Sequence, residues 1–145
     1  MTMPVTNETR SIVVEHLFDH PLAIVWRALT ESALIEGWLM RNDFRPEVGR
    51  RFTFLTQAQP GFDGVVQCRV LEIDPLHRIR FTQKGGDLET IVTWTLTDLG
   101  GGRTQLRIDH DGFGPGSEFA YDMLKDGWEK KMQPRLGAIL AGLER

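Results

Sequence analysis

Strict alternation of apolar and polar residues dominates the middle of this chain, and helical spacing dominates its flanks. Residues 11–18, SIVVEHLF, are rich in β-branched side chains. In an extended strand Ile12, Val14, His16 and Phe18 share one face, because successive side chains point to opposite sides. DHP follows, with Asp19 or His20 as a helix cap and Pro21 in the first turn. Ile24, Val25, Ala28 and Leu29 then recur at helical spacing. After a restart at Thr30 or Ser32, Leu34, Ile35, Trp38 and Leu39 do the same. Neither helix reaches the about 12–15 residues at which an isolated helix becomes marginal in water, so both must pack on something larger.

Five further strands are predicted. Residues 50–56 place Phe52 and Phe54 on one side. Residues 64–73 alternate through Val66, Cys68 and Val70, then carry two adjacent apolar residues that signal a bulge. Residues 78–83, 90–97 and 104–109 complete the set, and QPGFDG, DPLH, KGGD and LGGGR supply the turn residues between them. Links this short imply antiparallel neighbours. From residue 117 to about 143 the spacing is helical, with Phe119, Met123, Trp128, Met132, Leu136, Ile139, Leu140 and Leu143 forming an apolar stripe that Pro134 kinks.

A sheet with one apolar face needs a cover, and the terminal helix is the candidate. The fold class is therefore α+β: a curved six-stranded antiparallel sheet wrapped around a long C-terminal helix, with two short helices after the first strand. Residues 1–10 read as a flexible tail and 11–145 as a single domain.

Composition narrows the function. The 145 residues carry a net charge of −3, and the basic pairs Arg50-Arg51 and Lys130-Lys131 are no concentrated phosphate-binding face, so nucleic acid is not an expected partner. The polar start lacks a secretory apolar region, and no run approaches the roughly 18 apolar residues of a membrane span. With the single Cys68, this fits a cytoplasmic protein that does not insert into membranes. The four histidines show no metal-ligand spacing, and Cys68 reads as a structural mid-strand thiol. GGG at 100–102 leads into a strand rather than a helix, which rules out a phosphate loop. No catalytic residue, metal or cofactor is assigned.

HPLAIVWRALTESALIEGWL, VGRRFTF, VTWTLTDLGGGRTQLRIDHDGF and GWEKKMQPRLGAIL resemble the START-like (SRPBCC), helix-grip superfamily. Within it the chain looks most like homologues of the activator of the heat-shock chaperone ATPase. The resemblance covers about residues 10–143, and it implies a hollow between sheet and terminal helix that relatives use for apolar small molecules. Trp26 and Trp38 would close one end. Phe54, Val66, Phe81, Trp94, Leu106, Ile108 and His110 would line the hollow from the sheet; Phe119, Met123, Trp128 and Met132 would line it from the helix. Each apolar position also reads as packed core. His110 either orients a polar group of a ligand or is a core histidine satisfied by a backbone carbonyl, Asp109 or Asp111.

The function expected is binding of a small apolar or aromatic molecule, lipid, polyketide or flavonoid-like. A cyclase or hydratase using a cavity His or carboxylate such as Glu118 is the alternative, and a chaperone-partner role is the third. A strand edge or the Trp38-Leu39-Met40 corner leaves a homodimer open.

Overall fold

The computed structural model describes residues 9–144. The expected tail lies outside the described residues up to position 8, and the first strand starts at Arg10, one residue ahead of the expected Ser11. In chain order the elements are β1 (Arg10–Phe18), α1 (Leu22–Thr30), α2 (Ser32–Trp38), β2 (Arg41–Asn42), β3 (Arg51–Leu55), β4 (Val65–Asp74), β5 (Arg78–Gly85), β6 (Leu88–Gly100) and β7 (Arg103–Phe113). A helical segment follows: α3 (Glu118–Asp126), a π-helical turn (Gly127–Lys131) and α4 (Met132–Leu143).

The strands form one curved antiparallel sheet in the order β1-β7-β6-β5-β4-β3-β2. The seventh strand, β2, is two residues long and pairs with the end of β3; a segment this short leaves no alternation to read. The bulge expected after Val70 is present, as a register shift between Val70 and Glu72.

The inner face of the sheet is the core. Ile12, Val14 and Phe18 of β1, Phe52 and Phe54 of β3, Ile79 and Phe81 of β5, Val92, Trp94 and Leu96 of β6, and Leu106 and Ile108 of β7 are all buried. Val25, Ala28, Leu29, Ile35 and Trp38 close the core from α1 and α2. The Trp38 indole N–H donates to the Ala28 carbonyl at 2.8 Å and so ties the two helices together. Gly37 permits the close approach of α2 to α4: a Cβ there would lie 2.6 Å from Ile139 Cδ1.

The terminal helix departs from one continuous apolar stripe. Pro134 has no N–H and its ring crowds the Lys130 carbonyl, so the turn before it is underwound into a wider π-turn. The Met132 N–H there reaches back five residues to the Gly127 carbonyl. An extra residue in one turn rotates the face by about 100°. Trp128, Met132, Leu136 and Leu140 face the sheet after the change, while Tyr121 is the buried residue before it.

Candidate functional site

The hollow expected between sheet and helix is largely filled. Trp94 lies 5.3 Å from Trp38 and 5.0 Å from Phe81 between ring centroids, and Phe81 lies 5.5 Å from Phe52 and 6.0 Å from Phe54. Phe44, from the loop before β3, extends the cluster by an edge contact with Phe52 at 5.0 Å. Aromatic rings at these separations pack edge to face and leave no room for a guest.

Open space persists at one end of the inner face. A cleft of about 140 Å³ is bounded by Trp38, Leu39 and Met40 at the end of α2, Gln83 of β5, and Met123, Leu124, Gly127, Trp128, Lys131, Met132 and Arg135 along the terminal helix. Met40, Met123 and Met132 are three of the five methionines in the chain, and their unbranched side chains make an adaptable wall. Gln83 continues the inward row of Ile79 and Phe81, which buries its amide at the floor of an otherwise apolar recess. At the rim the cationic Lys131 and Arg135 sit one helical turn apart, and no carboxylate lines the cleft.

Trp128 separates the cleft from the packed core, and its position is held by two strands. His110 is fully buried; its Nδ1 accepts from the Trp128 indole N–H at 3.0 Å, which leaves Nε2 as the protonated nitrogen, 2.8 Å from the Thr90 hydroxyl. Burial pushes the imidazole pKa down to about 4, so the ring is neutral at pH 7. With both nitrogens occupied it is a fastener for Trp128 and is not placed to orient a ligand. Its partners are Thr90 and Trp128, not the backbone carbonyl, Asp109 or Asp111 expected for a core histidine. His16 fastens the same segment, its Nε2 lying 2.7 Å from the Trp128 carbonyl oxygen. Trp94 differs: its indole nitrogen is buried without a hydrogen-bond partner.

Of the thirteen expected lining residues, Trp38, Met123, Trp128 and Met132 meet at the cleft. Phe54, Phe81, Trp94, Leu106, Ile108 and His110 are buried in the packed interior, with Val66 part-buried beside it and Trp26 at the core margin on α1. Phe119 is corrected outright. It is 78 % exposed, and Met123 is 47 % exposed, so neither projects toward the sheet; Met123 reaches the cleft only at its edge. In their place Tyr121 packs edge-on against Phe113 at 5.3 Å and donates its hydroxyl to the Ser11 carbonyl at 3.1 Å. Glu118, the carboxylate considered for catalysis, is exposed at the start of α3. There its carboxyl is held below the usual range by the backbone amides of Glu118 and Gly116.

Sequence reasoning missed Leu39, Met40, Gln83, Leu124, Lys131 and Arg135 as lining residues. Gln83 carried a usable signal, a polar residue in register with Ile79 and Phe81.

Elsewhere, a shallow depression of about 520 Å³ on the outer face of the sheet is lined by polar residues including Arg51, Gln67, Arg69, Lys84 and Glu89. Cys68, on the inner side of that region, has its thiol pushed up to about 12 by burial. Among the described residues, no group of three or more His, Cys, Asp or Glu side chains is arranged to hold a metal ion, and no helix is long and apolar enough to cross a membrane.

Comparison with known proteins agrees with this architecture. Residues 19–141 match the family described as Activator of Hsp90 ATPase homolog 1-like protein. No curated protein matches the chain. Among solved structures the chain is similar to protein MLL2253 of Mesorhizobium loti, at 39% identity and a TM-score of 0.82, over 92% of this chain and 98% of that one. It is also similar to DynU16, from the dynemicin biosynthetic locus, at 27% identity and a TM-score of 0.73, over 90% of this chain but 47% of that one. An Hsp90 activator from Plasmodium falciparum shares the fold, at 17% identity and a TM-score of 0.74, over 90% of this chain and 96% of that one.

Proposed function

The chain belongs to the family of Activator of Hsp90 ATPase homolog 1-like proteins, and on that premise we propose that it binds a small apolar or aromatic molecule in the cleft between the terminal helix and the sheet. The observation that carries this reading is the composition of the cleft. Trp38, Trp128 and three methionines surround one amide where the described inner face is not packed shut. Ligand sites have this character, mostly apolar with a few placed polar groups. The volume of about 140 Å³ is below the roughly 300–1,000 Å³ of a drug-sized site and close to the about 150 Å³ that admits a benzene-sized guest. A ring-sized group therefore fits the cleft as it stands, and rotation of the exposed Met123 side chain widens it for the rest of a larger molecule.

The test is a nuclear magnetic resonance titration with a panel of lipids, polyketides and flavonoids. Binding at the cleft moves the Trp38 and Trp128 indole signals and the Gln83 side-chain amide together. A panel that leaves all three unmoved removes the reading.

A further inference from the structure

The rim of the cleft narrows the class of guest. Arg135 and Lys131 both border the opening, one turn apart on the same helix face, and both are solvent-exposed. Lys131 has a weak ionic neighbour, Asp126, at 3.9 Å, and shares that carboxylate with Lys130 at 3.3 Å. Arg135 has no ion-pair partner among the described residues, whereas Arg27 pairs with Glu31 and Arg107 with Asp109. Behind the two cations the wall is apolar, and the amide of Gln83 lies on the floor with no hydrogen bond to another described residue. A guest with an acceptor or donor at that depth would supply the amide with a partner in place of solvent.

Resting on the cleft being the binding site, we propose that its guest is a small anionic amphiphile. It has a carboxylate held at the rim by Arg135 and Lys131, and one aromatic ring or a short alkyl chain between Trp38, Trp128 and the methionines. A guanidinium presents a planar fork that matches a carboxylate in two parallel hydrogen bonds, and the neighbouring ammonium adds charge without imposing a direction. The apolar part gains from burial at about 25 cal/mol per Å². Neither part alone uses the whole cleft.

Two probe pairs test this, each differing only in the head group: 3-phenylpropanoate against 3-phenylpropan-1-ol, and hexanoate against hexan-1-ol. Dissociation constants are read from tryptophan fluorescence at low ionic strength, with the native protein and with the Lys131→Gln/Arg135→Gln double variant, whose two sites are exposed and outside the core. The carboxylate of at least one pair is expected to bind about tenfold more tightly than its alcohol, and the pair with the larger gap tells an aromatic acid from an aliphatic one. In the double variant the gap closes to about twofold while the alcohol binds as before, and in the native protein the gap shrinks with added salt. Equal binding of acid and alcohol to the native protein overturns the anionic guest and leaves the cleft reading standing. A gap that survives in the double variant overturns the placement of the head group. No binding by any probe removes both.

Discussion

The two ends of the inner face are built from the same kinds of residue and behave oppositely. At the sealed end Trp94 of β6, Phe81 of β5, and Phe54 and Phe52 of β3 interlock across the sheet, every ring buried to 2 % exposure or less. At the open end Trp38 and Trp128 border a recess walled by methionines, with Gln83 in the row that elsewhere carries phenylalanine or isoleucine. Rigid aromatics filling facing positions exclude a guest. Flexible thioethers and one amide in the same layer leave space for one.

Deleting bulk at the sealed end breaks the contrast most severely. Phe81→Ala removes a ring that touches Phe52, Phe54 and Trp94, and the expected cost is about 3–5 kcal/mol in urea denaturation. Met123→Ala at the open end costs about 0.5 kcal/mol or less, because that side chain is already half in solvent. Comparable losses at the two sites would mean that both ends are packed alike.

The boundary between the two ends is acid-sensitive. His110 is held neutral with a pKa of about 4 against 6.5 when unfolded, so the unfolded chain takes up a proton that the folded one refuses. Its contribution is intact above about pH 6.5 and is lost as pH falls toward 4, by on the order of 3 kcal/mol. His110→Leu starts less stable, because the Trp128 N–H and the Thr90 hydroxyl lose their partner, but its urea midpoint falls less steeply over that interval. Parallel curves for the two proteins would contradict the assignment.

Smaller effects separate the two tryptophans. Trp128→Phe leaves His110 Nδ1 without its donor and is expected to cost about 1–3 kcal/mol. Trp94→Phe also removes an unpartnered donor, which offsets part of the lost packing, so its cost falls below that of Trp128→Phe. Phe119→Ser, at a side chain in solvent, shifts the midpoint by about 0.5 kcal/mol at most.

The strands were legible because each has one wet and one dry face, so alternation from Val66 to Val70 or from Val92 to Leu96 states the register directly. The two short helices were legible through their i, i+3, i+4 spacing. The site was legible only where it uses large apolar residues at regular spacing, as at Trp38, Trp128 and Met132. Phe119 misled because the effect of Pro134 on the helix ahead of it is an inserted residue, not the bend its type suggests, and the insertion turns the earlier stripe away from the sheet. Whether an inward aromatic such as Phe54 lines a hollow or fills it depends on which rings meet across the sheet, and spacing along one strand does not carry that. His110 was placed correctly on the inner face, but its partners come from Thr90 and Trp128, 20 and 18 residues away, and local pattern does not reach them.

The most direct test of the account follows the methionine methyl groups in a nuclear magnetic resonance titration of protein carrying ¹³C only at those positions. With 3-phenylpropanoate as guest, the Met40, Met123 and Met132 signals should shift together and saturate with one dissociation constant. Cleft methyls that stay unmoved at saturating guest, or that shift with different dissociation constants, would contradict it.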